Sequence, residues 1–538
     1  MKKILLLSAI AVSVLEATAQ DALNLDTYAG AQLATEDLNG TARYVGMGGA
    51  MDALGADIST IGSNPAGIGI FRKNVVSTSF GLNVQEDGKN FDKGTKTNAS
   101  FDQLGLVLST RMGATSYVNF GFNYHKSRNF DYVLSAANEA VNGSSLHRQT
   151  YVKIMRGDLD LNNNNNLLHP FRESQIDQLN YRIIDQYDEA GQYVESISPR
   201  GVNYMFDRAH TGYIGEYDFN LSGNINNRLY LGLTVGIHDV HYNSYSEYRE
   251  TFEAPTVTSQ ASYNINYAKY TDDLRITGTG FNLKAGLIFR PIEESPFRIG
   301  MSVATPTWYK LKSKNHTTIS DQYGVVDDIS DNIEFRMDTP WKFGLSAGTT
   351  IGREWALGFG YEYADYGSVD MRSISNSYYD EWSDTYRSDS ESDSNMKRLT
   401  EQTLNGVSTV KCGLEFRPDN MLSIRLGYNY VSAMYKEGAV RDQTIDSPGV
   451  YMSSTSDYTN WDDTHRLTCG FGLSFDQFRL DMAYQYSSTN GKFYPYMSSL
   501  SAKGFDNTGQ PFSMTNECSA VKVNNKRHQV LLTLGYTF

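Results

Sequence analysis

Apolar and polar residues alternate with a period of two from near residue 75 to the last residue, and this pattern restricts the possible folds more than any other feature of the chain. Between Phe478 and Ser487, one face carries Phe478, Leu480, Met482, Tyr484 and Tyr486 and the other Arg479, Asp481, Ala483, Gln485 and Ser487. Leu422, Ile424, Leu426, Tyr428 and Tyr430 repeat the pattern, as do Trp355, Leu357, Phe359, Tyr361 and Tyr363. Successive side chains of a strand point to opposite faces, so each run is a strand with one greasy and one polar side. Strands are predicted over 75–84, 101–110, 115–125, 212–224, 228–241, 274–290, 296–303, 341–351, 355–366, 405–417, 421–434, 464–476, 478–489 and 527–538. That makes about fourteen, an even number as single-chain bacterial barrels have. Short connections, near 111–114, 226–227, 291–296, 352–354, 418–420 and 476–477, alternate with long ones over 85–100, 126–211, 242–273, 304–340, 367–404, 435–463 and 490–526. Short turns at one end and long loops at the other describe an all-β transmembrane antiparallel barrel, whereas a soluble sandwich has no reason to collect its long loops at one end. The same pattern predicts both chain ends on the short-turn, periplasmic side.

Mean hydropathy is -0.44 over 538 residues, which by itself would suit a secreted soluble protein. Yet 37 Tyr, 25 Phe and 46 Gly against 12 Pro suit many long strands with aromatic girdles. No stretch approaches the roughly 18 consecutive apolar residues of a membrane helix. A formal charge of -14 without a concentrated basic face excludes nucleic acid as a partner. Cys412, Cys469 and Cys518 are too few and too far apart for a disulfide framework. Lys2 and Lys3, the apolar run from Ile4 to Leu15 and Ala17-Thr18-Ala19 predict a signal peptide over 1–19. This leaves a distinct segment, 20–74, ahead of the strands at 75–538.

Within it, 41–71 reads TARYVGMGGAMDALGADISTIGSNPAGIGIF. Such a run of small residues and turn formers packs closely against other backbone. GMGGA, then Ala53, Leu54, Gly55, Asp57 and Ser59, then NPAGIG, resembles the N-terminal hatch of the FadL/TodX family of outer-membrane transporters for hydrophobic molecules. The resemblance implies a barrel of about fourteen strands plugged by 20–74, set in the outer membrane of a Gram-negative cell. It implies passive uptake of hydrophobic small molecules such as long-chain fatty acids, with no catalytic residue, metal or cofactor. It makes Gly48, Gly49, Asn64, Pro65 and Ala66 the gate, and it implies sideways exit through a kinked third strand, where Gly121 is the least hindered place for a break. The implied partners are the hydrophobic ligand, outer-membrane lipid and the barrel-assembly machinery, for which Tyr536 and Phe538 at the end of the last amphipathic strand resemble the recognition signal. Two other functions stay open beside transport. One is a shuttle of type IX secretion, with a secreted protein as cargo; the other is haemin uptake.

Other constellations carry less. Asp158, Asp160, Asn162 and Asn164 alternate like calcium ligands, but Asn163 stands where the turn glycine belongs and His169 where the bidentate Glu belongs. A short helix is expected within 171–190 of the longest loop, 126–211, which the family resemblance makes the candidate ligand-capturing surface. His238, His241, His465 and His528 form no metal or nucleophile–base set, and no serine occupies a G-x-S-x-G elbow. The acidic run 380–393 reads as a solvated loop. Glu216, Asp218, Lys284, Arg290, Arg298, Lys342, Glu362, Lys411, Glu415, Arg425, Arg479 and Asp481 fall on polar faces. They are expected to pair with one another and with Arg43, Asp52 and Asp57 of the plug.

Overall fold

A computed structural model describes residues 24–159, 173–187, 193–253, 265–380, 385–505 and 510–538. The expected signal peptide, most of the calcium-like stretch and residues 381–384 of the acidic run lie outside these. Nineteen strand segments form one sheet. They are β1 (Val75–Gln85), β2 (Thr97–Arg111), β3 (Tyr117–Asn129), β4 (Tyr132–Glu139), β5 (Gly201–Ile225), β6 (Leu229–Phe252) and β7 (Tyr267–Phe289). Then follow β8 (Arg298–Ala304), β9 (Trp308–Asp321), β10 (Gly324–Asp338), β11 (Lys342–Ile351), β12 (Trp355–Asp365), β13 (Asp370–Asp380) and β14 (Thr385–Ser392). The last are β15 (Gly406–Phe416), β16 (Leu422–Val431), β17 (Tyr458–Phe475), β18 (Phe478–Tyr494) and β19 (Val521–Thr537). Five pairs of successive segments, β3–β4, β8–β9, β10–β11, β12–β13 and β14–β15, each extend one wall position, so the wall is a closed antiparallel barrel of 14 strands. Closure is made by β1 and β19, in register from Val75↔Thr537 to Gln85↔Arg527.

All fourteen predicted strands are present. The alternation is inverted relative to a soluble protein: Phe120, Leu221, Leu233, Phe281, Leu345, Phe359, Leu426, Leu467 and Leu534 are exposed, whereas Asn119, Asn220, Lys284, Ser346, Arg425, Thr468 and Asp481 are buried in the lumen. An outward apolar band over a polar interior is the surface a bilayer covers. The short connections are as tight as expected: Asn226, Asn227 and Asp476 take positive φ at 53°, 52° and 51°, the left-handed conformation that Asn and Asp tolerate in hairpin turns.

Several of the long connections hold strand where loop was expected. β6 runs on to Phe252 and β7 starts at Tyr267, inside the expected 242–273 loop, while 304–340 is mostly the β9–β10 hairpin. Above the apolar band both faces of a strand meet polar surroundings, so a stretch such as Lys312-Ser313-Lys314-Asn315-His316 pairs as β without an apolar stripe to announce it.

Two helices, α2 (Leu146–Arg156) and α3 (Gln175–Ile184), stand in the longest connection and α4 (Ser394–Thr403) in another; α3 is the helix expected within 171–190. The apolar sides of α2 and α3 do not face solvent. Leu146, Ile176, Leu179 and Ile183 pack with Tyr204, Phe206, Tyr248, Phe252 and Tyr270 of the strand extensions, and the pair forms a lid over that end.

A further helix, α1 (Thr27–Ala34), lies inside the barrel. Its approach sets the first described residues apart from the end of the last strand. Phe538 is at the short-turn end, its amide donating to Asn74 at 3.0 Å. Asn24, the first described residue, instead donates to Asp393 at 3.0 Å beside α4, and Thr27 meets Thr400 of α4 at 2.7 Å. The plug segment therefore threads the lumen from the long-loop end down to β1.

Candidate functional site

The lower plug is held together by its own polar side chains. Thr41 accepts the Tyr44 amide at 3.1 Å to start a helical turn, and Asp57 accepts the Thr41 hydroxyl at 2.8 Å and the Ser59 amide at 3.0 Å. Asn64 accepts the Ala66 amide at 3.2 Å, which opens the turn Pro65–Ile70 with Pro65 in its first position. Pro suits a first turn, where its missing N–H costs nothing. Gly48 and Gly49 take φ of 62° and 77°. The structure thus brings Asn64, Pro65 and Ala66 together in one turn, with Gly48 and Gly49 in another.

Both turns sit on bare patches of the wall. A Cβ on Gly232 of β6 would strike the Pro65 backbone, and one on Gly286 of β7 would strike Asn64. One on Gly358 of β12 would strike the Ala50 carbonyl, one on Gly413 of β15 that of Met47, and one on Gly427 of β16 the Gly48 amide. Glycines spaced around the wall admit the plug backbone to van der Waals contact. Wall amides satisfy the plug's carbonyls: Asn119 donates to Ile68 at 2.6 Å, Asn224 to Gly69 at 3.2 Å and Asn429 to Gly48 at 3.4 Å.

Most of the expected charge pairing is present, while Arg290 and Arg298 donate to backbone carbonyls instead. Arg43 meets Glu415 at 3.0 Å, and Arg425 bridges Glu415 at 2.7 Å to Asp481 at 2.8 Å. Lys411 joins Asp52 at 3.3 Å to Glu362 at 3.4 Å, Lys342 holds Glu36 at 2.5 Å, and Arg298 donates to the Leu54 carbonyl at 2.6 Å. Asp57 pairs within the plug instead. Lys284 binds Glu216 and Asp218, with His125 within 3.6 Å of both carboxylates. Ligand atoms of His125, Glu216 and Asp218 lie within 4.8 Å of one another, as in a metal set, but the Lys284 ammonium supplies the cation there. Neither His125 nor this convergence was visible in the sequence, because the four residues come from three strands.

Beside the plug, inside the barrel, lies a chamber of about 3210 Å³, counted with the solvent open to it. Phe130, Tyr132, Tyr242, Leu274, Ile276 and Trp461 line part of it, and Arg128, Arg208, Arg466 and Arg527 another part. His210 and Tyr242 meet in it at 2.8 Å. This His–Tyr pair was missed because the two residues lie on different strands.

The wall irregularity differs from the one expected. At Gly121 the ladder is continuous on both sides, with Val107↔Gly121 and Gly121↔Asn220 in register. Gly121 makes room for plug side chains instead, since its Cβ would lie 3.3 Å from Ile61 and 3.4 Å from Ile68. The register shift of β3 against β5 falls at Lys126/Arg128, and the β2–β3 ladder stops at Gln103↔His125. Plug residues cover this place. The Asp37 amide donates to Ser127 at 2.7 Å, the Asp37 carboxylate accepts the Asn129 amide at 3.0 Å, and Asn39 donates to Lys126 at 3.1 Å and Asp102 at 3.0 Å. At the chain's other end, Tyr536 donates to Gln477 at 2.6 Å and stacks on the exposed Phe538.

A closed antiparallel barrel with an apolar outer band, filled from within by its own N-terminal segment, defines a plugged membrane barrel. Its architecture is that of the FadL type. A solved Pseudomonas aeruginosa FadL homologue matches over 94% of this chain and 100% of that chain, at 12% identity and a TM-score of 0.50. The Ralstonia pickettii toluene transporter TbuX matches over 93% and 99% at 11% identity and 0.44, and the Pseudomonas putida toluene transporter TodX over 94% and 99% at 11% and 0.44. Neither a family model nor a curated protein matches the chain.

Proposed function

We propose that this protein is an outer-membrane channel of the FadL/TodX type, taking up hydrophobic small molecules passively, with residues 20–74 as its plug and the turns at Gly48–Gly49 and Asn64–Ala66 as the gate. The observation that carries this reading is the partly aromatic chamber beside the plug in a barrel of FadL architecture. A ligand enters under the lid, occupies the chamber, and leaves when the plug shifts. The plug's contacts with the wall are hydrogen bonds, ion pairs and glycine seats, all reversible. Sideways exit would use the β3 irregularity at Lys126/Arg128 rather than Gly121. No bond chemistry or energy source is required. Long-chain fatty acids and monoaromatic compounds both belong to the substrate class. The shuttle reading gains no comparable support, since the apolar sides of α2 and α3 are spent on the barrel, and the haemin reading rests only on His210 and Tyr242, which are bonded to each other.

The test is uptake of radiolabelled toluene and oleate by cells lacking their own hydrophobic transporters, with and without this protein. Uptake of either that changes on Asn64→Ala supports the reading. No uptake of either, with the barrel folded in the outer membrane, overturns it.

A further inference from the structure

The chamber's arginines are not evenly matched. Arg441 is held by Asp26, and Arg208 by Asp457 through two contacts at 2.7 and 2.8 Å. Arg128 of β3, Arg466 of β17 and Arg527 of β19 converge instead on Asp37 of the plug. Arg128 lies at 2.9 Å and Arg466 at 3.9 Å, and Arg527 acts on Asp37 electrostatically. Arg466 also donates to Asn429 at 2.8 Å and Arg527 to the Asn129 carbonyl at 3.3 Å, both uncharged acceptors. Asp131 acts on Arg527 from the side, and it accepts the Gly212 amide at 3.3 Å. Three guanidinium groups from three strands around one plug carboxylate leave positive charge over, and the buried Arg128 Nε has no hydrogen-bond partner among the described residues.

The surface beside this cluster is aromatic. Arg128 lies 5.9 Å from the Phe130 ring centroid and Arg527 5.8 Å from that of Tyr132, which meets Trp461 edge-on at 5.9 Å. Ring faces accept flat ring systems, and guanidinium forks accept carboxylates.

We propose that Arg128, Arg466 and Arg527 are the subsite for the head group of an aromatic carboxylate, and that Asp37 fills it at rest as a stand-in for that ligand. The proposal rests on the channel reading above and adds the ligand's chemical class. The exchange is balanced: one carboxylate replaces another, with no proton or bond transferred. Once displaced, the Asp37 carboxylate gives up the Asn129 amide, so the same event weakens the plug's cover over the β3 irregularity. Ligand recognition and plug release are thereby one step.

The experiment uses the full-length protein in dodecyl maltoside, with heat-modifiable gel migration to verify the barrel. Binding of 2-naphthoate, of 2-methylnaphthalene as its uncharged counterpart and of dodecanoate is measured by equilibrium dialysis. Asp37→Asn removes the competing charge and should tighten 2-naphthoate about tenfold while changing 2-methylnaphthalene less than twofold. The pair Arg466→Gln with Arg527→Gln should weaken 2-naphthoate at least tenfold more than 2-methylnaphthalene. If the double variant does not fold, the salt dependence of 2-naphthoate binding replaces it; weakening by salt is expected, and salt-independent binding overturns the proposal. No response to Asp37→Asn, or tighter binding of dodecanoate than of 2-naphthoate, also overturns it. If 2-methylnaphthalene binds and 2-naphthoate does not, the channel reading stands and this proposal falls. If neither binds a folded barrel, both fall.

Discussion

Arg43 of the plug holds Glu415 of β15 through both arms of its guanidinium, Nε at 3.0 Å from Oε2 and Nη2 at 3.1 Å from Oε1. Glu415 is 1% exposed and also accepts Arg425 at 2.7 Å, so one wall carboxylate ties the plug to two wall strands. Removing Arg43 breaks the plug's two-armed, charge-assisted contact at a cost of about 1.5–3 kcal/mol, while Arg425 and Arg417 still neutralise Glu415. Arg43→Ala should therefore loosen the plug while the barrel persists. The measurement is limited proteolysis of the plug in detergent alongside heat-modifiable migration of the barrel. Arg43→Lys should restore little, because an ammonium cannot make the two-armed contact. Unchanged protease resistance in Arg43→Ala would show that the pair does not anchor the plug.

The glycine seats give a second handle. A side chain at Gly232 collides with the Pro65 backbone, whereas the outer face of β6 is untouched. Gly232→Val should displace the Asn64–Ala66 turn without lowering barrel levels. Cells carrying it should become sensitive to large antibiotics such as vancomycin that the intact outer membrane excludes. Asn64→Ala removes the acceptor of the Ala66 amide and is a milder lesion, about 1 kcal/mol by analogy with other lost caps. Normal vancomycin resistance in a folded Gly232→Val barrel would mean that the turn can shift without opening a path.

The lid carries a pH dependence of its own. Glu173, buried just ahead of α3, has its carboxyl pushed up to about 8, first by burial and then by Asp177, with Lys153 opposing. In the unfolded chain it titrates near 4.5. The folded lid thus binds this proton more tightly, so its stability is greatest below the unfolded value and declines as pH rises from about 4.5 to about 8. Protection of the Gln175–Ile184 amides against deuterium exchange, corrected for intrinsic rates, should fall between pH 5 and pH 9. Glu173→Gln should flatten that fall; an equal fall in the variant would assign it to another group.

What the sequence made legible follows from which constraint each residue answers. The membrane band imposes period two on Phe478–Ser487 and its counterparts, so every wall strand could be read there. Above the band the constraint lapses, and the β9–β10 hairpin and the upper parts of β6 and β7 were taken for loops. The plug's Asn64–Ala66 turn was legible because Asn, Pro and Gly are local conformational signals. The pairing of lumen charges was legible as a necessity, since a filled lumen leaves no room for a lone charge, but not partner by partner. Asp37 with Arg128, Arg466 and Arg527 was out of reach for that reason: a one-residue change in strand register would point any of these arginines at lipid.

The last strand ends on a relationship that local pattern did predict in part. Tyr536 and Phe538 fall on the outer face, Phe538 is exposed, and its amide is bonded to Asn74 where β1 begins. The terminal residue therefore does two things, presenting an aromatic ring outward and helping to hold the seam where β19 meets β1. Deleting Phe538 removes both, while Phe538→Ala removes the ring alone and leaves the amide contact. If the ring is the signal read during assembly, both variants should lower outer-membrane levels severalfold. If the seam matters instead, the deletion should be deficient and Phe538→Ala close to normal. Quantifying the folded fraction in isolated outer membranes by heat-modifiable migration separates the two, and normal levels for both would remove any assembly role from this residue.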